Sequence, residues 1–209
     1  NMNKLVMAPT YLKTKLLQLI EREIERSSRE NPGLIMAKMN SLADEDVIRA
    51  LYRASCAGVT VKLNVRGICM LVPGVKDLSE NITVVSIVDR FLEHSRIFYF
   101  ENQGQDEIYL SSADWMPRNL EKRVELMFPV EYPQVKKRLF NILSIFFKDN
   151  VKSRRLTSEG RYVYDEPEGE QPFRCQEYFY RHACAEEAST SRSEPQEFTV
   201  RRTPYSPNR

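Results

Sequence analysis

The alternation of strand-like and helix-like segments in the first 65 residues most constrains the fold. Apolar runs at 34–39 and 59–65 predict two buried strands, and a shorter run at 4–8 predicts a third. A helix after the first strand is predicted by apolar residues at every fourth position, namely Leu12, Leu16, Ile20 and Ile24. A second helix is expected to begin after Asp44, a suitable N-cap, and to end at Gly58. Successive strand–helix–strand units predict parallel strands with helices packed on the sheet.

The middle of the chain predicts a different pattern. Apolar segments at 97–101 and 107–111 are separated by polar residues, so we expect a hairpin. The other elements predicted here are a strand at 82–88, a helix at 89–93, a strand at 123–130 and an amphipathic helix at 134–147. Parallel strands followed by a hairpin therefore predict an α/β fold.

Charge and hydropathy exclude several classes of protein. The net charge is only +2, so the whole chain is not expected to bind nucleic acid. No apolar run approaches the roughly 20 residues of a membrane span, and no leader peptide is expected at the start of the sequence. The four cysteines show no zinc-type spacing, which favours a reducing, intracellular setting with free thiols.

One stretch is locally basic and indicates either a polyanion partner or a solvated helix face. Its cations are Arg118, Lys122, Arg123, Lys136, Lys137, Arg138, Lys148, Lys152, Arg154 and Arg155.

Three polar segments lie beside predicted strands and are candidates for chemistry. Arg66 and Gly67 follow the strand at 59–65, where α/β sheets bind ligands and where arginine matches the geometry of phosphate. Gly67 is expected to let the backbone of this loop approach a phosphate closely. Taken alone, an arginine at the end of a strand is more often structural than functional.

The second segment contains His94, just before the strand at 97–101. An imidazole can take or donate a proton or accept a phosphoryl group, and Glu93 and Arg96 are candidates to tune it. The third segment, at 111–119, places Ser111, Ser112 and Asp114 close to several cations. The structural interpretation of the second segment is a histidine that is only hydrogen-bonded. That of the third segment is a capped turn.

Together, the second and third segments resemble a phospholipase D-type half-site, which uses His-x-Lys and then a Gly-Ser-x-Asn turn. Arg96 stands where lysine is usual, and Asp114 stands where asparagine is usual. Both differences argue against a phosphodiesterase. The longer series of motifs is instead similar to the C-terminal half of polyphosphate kinase. The matching segments are 35–42, 65–74, 78–82, 86–96, 111–119 and 173–177.

That resemblance implies a phospholipase D-like mixed sheet with helices on both faces, plus a C-terminal extension. It implies a catalytic domain at 1–150, a helical extension of the same domain at 151–185 and a polar tail at 186–209. We expect the tail, which is rich in serine, glutamate and proline, to be extended or mobile. Beyond about residue 186 the resemblance ends.

The resemblance also implies reversible transfer of the terminal phosphoryl group of ATP to polyphosphate, through a phosphohistidine in a preceding domain absent from this sequence. His94 is the expected catalytic residue. Phosphate binding is expected from Arg66, His94, Arg123 and, ranked lower, Arg118, while Ser111, Ser112 and Asp114 would orient their neighbours. Mg²⁺ would arrive with ATP, with its protein ligands outside this chain.

Several expectations concern partners and location. ATP or ADP, polyphosphate, the preceding catalytic domain and a second copy of the protein are the expected partners, and nucleic acid is not. The expected location is cytoplasmic, with peripheral attachment to the inner face of the membrane as an alternative. This chain alone is expected to be inactive.

Two other functions stay open at the level of sequence. One is a phospholipase D-type phosphodiesterase or nuclease, with His94 as nucleophile in a homodimer. The other is a non-catalytic polyanion-binding module built on the basic stretch between Arg118 and Arg155.

Overall fold

The computed structural model describes residues 4–164, 169 and 171–189. Residues 1–176 form one compact unit, and the second unit begins at Glu177. The strands are β1 (Val6–Ala8), β2 (Leu34–Met39), β3 (Thr60–Val65), β4 (Ile82–Ile87), β5 (Ile97–Phe100), β6 (Glu107–Ser111), β7 (Glu125–Pro129), β8 (Ser153–Leu156) and β9 (Tyr162–Val163). The α-helices are α1 (Leu12–Arg26), α2 (Glu45–Cys56), α3 (Pro133–Phe146) and α4 (Cys175–Ser189).

The strands of the first unit form a mixed sheet in the order β1-β7-β6-β5-β2-β3-β4-β8-β9. Strands β2, β3 and β4 pair in parallel, and the other pairs are antiparallel. The parallel pair predicted around α2 is confirmed. The first crossover is different, because β1 pairs with β7 at the far edge of the sheet and has no ladder with β2. Sequence alone could not show that β5, β6 and β7 lie between β1 and β2 in the sheet.

Alternation along β2 shows that helices cover both faces of the sheet, as predicted. Ile35, Ala37 and Met39 belong to the core that contains residues of α1 and α2. Met36 belongs to a separate core cluster with Leu143 of α3. Neighbouring side chains of a strand point to opposite faces, so these helices pack on opposite sides. The resulting strand is buried along almost its whole length, which explains its continuous apolar run.

The predicted ends of α2 are confirmed. Asp44 caps its N-terminus, with the side chain accepting a hydrogen bond from the Val47 amide at 3.2 Å. Gly58 follows the helix with a φ of 86°, a conformation that glycine adopts without steric cost. The same Asp44 carboxylate lies 3.0 Å from the ammonium of Lys13 in α1, so the cap also ties the two helices together.

One predicted helix was wrong, and the strands β8 and β9 were not predicted. Residues 89–93 are not helical, because they belong to an irregular loop between β4 and β5 that side chains from other elements hold. Within the expected extension at 151–185, β8 pairs with β4 and β9 pairs with β8, so this part of the chain extends the sheet. The helical part of the extension begins only at Cys175. Backbone pairing across the edge of β4 outweighs the weak local pattern there.

The predicted domain boundaries stay predictions. Of the polar tail, residues 186–189 are the end of α4, and residues 190–209 lie outside the described residues. Within the described ranges, the helices are all too short or too polar to cross a membrane.

Candidate functional site

One edge of the sheet collects the predicted site residues. Strands β2, β3, β4 and β6 run in the same direction, so their carboxyl ends meet at this edge. Strands β5 and β7 run the other way and begin there. The segments containing Arg66, His94, Asp114 and Arg123 therefore all lie at one edge, where open α/β sheets bind ligands.

At the centre of this edge, Arg96 and Asp114 form a buried ion pair. The Arg96 Nε and Nη2 atoms lie 3.1 and 3.2 Å from the two carboxylate oxygens of Asp114, a bidentate geometry. The side chains are 13% and 7% exposed. The Asp114 carboxylate also accepts a 2.8 Å hydrogen bond from the backbone amide of Asn40. Asp114 thus joins the turn after β6 to the ends of β2 and β5.

Arg66 is connected to the same network through Asn40. Its Nε and Nη2 atoms donate to the Asn40 side-chain carbonyl at 3.3 and 3.0 Å, while the Asn40 amide group donates to Asp114 at 3.2 Å. The guanidinium is partly exposed and keeps further N–H groups for a ligand. Asn40 was missed at the level of sequence. The available signal was its position directly after the buried strand β2.

Gly67 is needed for a different reason from the one predicted. A Cβ atom at this position would lie 2.9 Å from the backbone carbonyl of Asn40. The Gly67 amide donates to that same carbonyl at 2.6 Å. The glycine therefore lets the loop after β3 pack against the loop after β2, and this contact holds Arg66 beside Asn40.

His94 is exposed in the loop between β4 and β5. Arg96 donates to its backbone carbonyl at 3.1 Å, which leaves the imidazole available to solvent. Glu93 and Arg96 were predicted to tune this imidazole, but their hydrogen bonds go elsewhere in the described structure. Glu93 accepts from Gln176 and Arg96 donates to Asp114. Within the described residues, neither side chain forms a hydrogen bond or an ion pair with the imidazole of His94.

Lys38 is a second residue that sequence reasoning missed. Its side chain is 1% exposed, and its ammonium lies 3.3 Å from the carbonyl of Ser95 and 3.7 Å from the carboxylate of Glu93. Burial lowers the pKa of this ammonium, and Glu93 partly opposes that effect. The sequence signal was a single cation within an otherwise apolar strand.

The remaining predicted residues lie around β6 and β7. Ser111 donates to the Leu126 carbonyl at 2.8 Å, and Ser112 accepts from the Leu126 amide at 3.0 Å. Both serines therefore connect the ends of two strands, which fits a supporting role. Arg118 and Arg123 are exposed, and within the described ranges neither makes a side-chain hydrogen bond or ion pair.

The cations are not all close to one another. In the sheet order, β7 and β3 are separated by β6, β5 and β2. With a strand spacing of about 4.8 Å, the backbones leading to Arg123 and Arg66 are roughly 19 Å apart across the sheet. The edge is therefore broad enough to face an extended anion along its length.

Among the described residues, no group of three or more histidine, cysteine, aspartate or glutamate side chains is arranged to hold a metal ion. Asp114, the buried carboxylate of this edge, already accepts hydrogen bonds from Arg96 and Asn40 on both oxygens. Both oxygens of the Asp114 carboxylate thus already accept hydrogen bonds from nitrogen donors of the protein.

Comparison with known proteins decides the family. The family described as polyphosphate kinase C-terminal domain 2 matches residues 5–176, most of the chain. This chain belongs to that family. The resemblance inferred from the motifs is therefore confirmed.

Similar proteins have the same family name. The chain is 50% identical to a polyphosphate kinase of Rhodopirellula baltica over 93% of this chain and 23% of that protein. It is also 50% identical to one of Synechocystis, over 88% of this chain and 25% of that protein. This chain thus spans about a quarter of the length of these relatives. The crystal structure of polyphosphate kinase from Porphyromonas gingivalis matches with a TM-score of 0.85 and 44% identity, over 90% of this chain and 29% of that one.

A more distant likeness confirms the fold. Nuc of Salmonella typhimurium, a phospholipase D family member, matches with a TM-score of 0.54 and 14% identity, over 74% of this chain and 97% of that one. The predicted phospholipase D-like mixed sheet is therefore correct. The two residues that differ from the phospholipase D pattern, Arg96 and Asp114, are each other's partners in this polyphosphate kinase family chain. The two positions therefore contact each other directly in the structure.

Proposed function

We propose that this chain supplies one side of the site at which a polyphosphate kinase transfers phosphoryl groups between ATP and polyphosphate. The observation that supports it best is the arrangement at the carboxyl edge. A partly exposed Arg66, fixed by Asn40, lies at the same edge as the exposed imidazole of His94. Phosphoryl transfer depends mainly on positioning and on neutralising the charge of the phosphate oxygens.

The proposed roles follow from the contacts of each residue. Arg66 binds phosphate oxygens with the N–H groups that Asn40 does not use. His94 protonates the departing oxygen or assists the incoming phosphate. Arg123 and Arg118, exposed at the far end of the edge, bind further phosphates. Ser111, Ser112 and Asp114 hold the strands and Arg96 in place.

The remaining parts of the reaction belong outside this chain. The phosphorylated histidine is in a preceding domain, and Mg²⁺ is brought by ATP with ligands supplied from elsewhere. The partners proposed are ATP or ADP, polyphosphate, the preceding domain and a second copy of the protein. A cytoplasmic location, with peripheral attachment to the membrane as an alternative, belongs to the same proposal.

Calorimetry tests the role of Arg66. We expect MgATP and long-chain polyphosphate to bind the wild-type chain, and Arg66→Ala to weaken binding by about 1.5–3 kcal/mol because a charged hydrogen-bond partner is lost. His94→Ala is expected to weaken binding as well. Arg49→Ala is the matched control, because Arg49 is exposed on α2 and pairs with Glu45. Equal binding by Arg66→Ala and Arg49→Ala would exclude the proposed phosphate site.

A separate assay tests the division of the active site. The isolated chain is expected to make no polyphosphate from ATP, since it lacks the phosphorylated histidine. ATP-dependent synthesis by this chain alone would show that the complete catalytic machinery lies within it.

The alternatives are opposed by specific observations. In a phospholipase D-type phosphodiesterase the lysine of His-x-Lys acts on phosphate, whereas Arg96 is engaged by the Asp114 carboxylate. Hydrolysis of bis-p-nitrophenyl phosphate by this chain would reverse that conclusion. The basic stretch proposed for a polyanion-binding module is divided among the turn before β7, α3 and β8 rather than forming one segment. Salt-sensitive binding of DNA, unaffected by Arg66→Ala, would favour that module.

A further inference from the structure

The loop that contains His94 has little backbone support of its own. Residues 88–96 connect β4 to β5 without forming a helix or a strand. A catalytic side chain must be held to a fraction of an ångström and a narrow range of angle. Side chains from other elements must therefore position this loop.

Gln176, the second residue of α4, makes three of these contacts. Its amide oxygen accepts from the Phe91 backbone amide at 2.8 Å, and its amide nitrogen donates to the Phe91 carbonyl at 2.9 Å. The same nitrogen donates to the Glu93 carboxylate at 2.9 Å. Gln176 is 4% exposed, so these bonds are shielded from water. The Gln176 side chain thus fixes the loop backbone at Phe91 and the side chain of Glu93, which directly precedes His94.

The segment leading to Gln176 is itself anchored in the first unit. Arg174 forms a bidentate pair with Asp89, at the start of the same loop, with a 2.7 Å bond from Nε. The Cys175 amide donates to Asp149 at 2.8 Å. Asp149 also accepts from three successive backbone amides at 151–153. Gln176 therefore presents its amide from a rigid base.

Lys38 holds the other side of the loop from within the sheet. It contacts the residues that flank His94, with Ser95 on one side and Glu93 on the other. Its ammonium also lies 5.4 Å from the ring centroid of Phe146 in α3. A buried cation in this position constrains the backbone on both sides of the histidine.

We propose that Gln176 and Lys38 are positioning residues for His94, acting as a two-sided clamp on the loop 88–96. This inference rests on the function proposed for His94. It gives a role to the Phe173–Glu177 motif, which the proposed phosphate contacts do not use. The family match ends at residue 176, so the clamp residue from α4 lies within the matched domain.

Hydrogen exchange tests the clamp without any nucleotide. In Gln176→Ala we expect amides of the loop, Phe91 first, to exchange about tenfold faster, because the acceptor of the Phe91 amide is lost. Exchange in β2 should not change. Lys38→Met, which keeps an unbranched side chain of similar volume but removes the ammonium group, should loosen the same loop. Unchanged exchange in the loop, or equal acceleration in β2, would overturn the proposal.

A swap of donor and acceptor separates positioning from general stability. Gln176→Glu keeps the size of the side chain but places a carboxylate against Glu93 and the Phe91 carbonyl. Adding Glu93→Gln gives the new carboxylate at 176 a donor at 93. We expect this second change to restore part of the loop protection. Failure of the double variant to exceed Gln176→Glu would contradict the assigned contacts.

The catalytic consequence is measured in the full-length polyphosphate kinase that contains this chain. We expect Gln176→Glu to lower kcat about tenfold with a smaller change in the KM for ATP, and the double variant to recover part of it. Arg181→Ala is the control, because Arg181 is exposed on α4 and pairs with Glu177. Loosened loops with unchanged kcat would refute the positioning role while leaving the Arg66 phosphate site untouched.

Discussion

The two edges of the sheet each bury a carboxylate, but they neutralise it differently. At the carboxyl edge, Asp114 has a bidentate ion pair with Arg96 and a further bond from Asn40. At the opposite edge, Glu23 of α1 is 1% exposed and accepts a 2.8 Å bond from the Asn102 amide. Burial raises the pKa of Glu23 to about 7 despite that bond.

This difference shows at which edge of the sheet the fold tolerates a buried carboxylate without an ion-pair partner. A buried charge with an ion-pair partner is costly to disturb, whereas one that nearby backbone amides and charges compensate only in part is better neutralised by a proton. The paired carboxylate lies in the candidate site and organises Arg96 and Asn40. The other lies under the β5–β6 hairpin and connects α1 to it.

The largest effect is expected from breaking the pair at the carboxyl edge. Asp114→Ala leaves the buried Arg96 guanidinium uncompensated, so the free energy of unfolding should fall by about 3–5 kcal/mol in urea denaturation. Combining Asp114→Asn with Arg96→Lys, the residues usual in the phospholipase D pattern, should cost less because a compatible pair is retained. Equal losses in both variants would show that the ion pair is not what stabilises this edge.

The expected effect at the other edge depends on pH. The folded pKa of Glu23, about 7, lies above its ordinary value of 4.5, so the folded protein binds this proton more tightly than the unfolded chain. The free energy of unfolding therefore falls as the pH rises through this range. Glu23→Gln removes the charge and should stabilise the chain by on the order of 2 kcal/mol at pH 8, with little gain at pH 5.

Thermal or urea denaturation at the two pH values measures this difference. A Glu23→Gln gain that is the same at pH 5 and pH 8 would contradict the raised pKa. Asp46→Asn, an exposed carboxylate on α2, is the matched control.

The smallest expected effect compares glycines at the two edges. Gly67→Ala brings a Cβ within 2.9 Å of a backbone carbonyl, whereas at Gly33 it would meet the Glu23 carboxylate at 3.1 Å and the Glu23 backbone carbonyl at 3.3 Å. We expect Gly67→Ala to lower the free energy of unfolding by about 1–2 kcal/mol, and Gly33→Ala to cost less. The same order should appear in the Tm. A larger loss for Gly33→Ala would mean that Glu23 is less able to move than Asn40.

Local sequence signals predicted much of the fold because they are short-range. The four-residue repeat of α1, the Asp44 cap and the apolar runs of β2 and β3 each act within one element. The helix predicted at 89–93 was wrong and the strand β8 was not predicted, because the partners of both segments are distant in sequence. Asp89 pairs with Arg174, and β8 pairs with β4.

The residues of the candidate site also fall into two groups, those that the local sequence predicted and those that only the tertiary structure revealed. The motifs of the sequence were sufficient to recognise the family and to select Arg66, His94 and Asp114, since those residues directly follow or precede predicted strands. The sequence could not reveal Asn40, Lys38 or Gln176 as their supports. Those contacts join positions 26 to 85 residues apart. Tertiary structure alone decided them, because hydrogen bonds and ion pairs of this kind form only after the strands have brought distant segments to one edge.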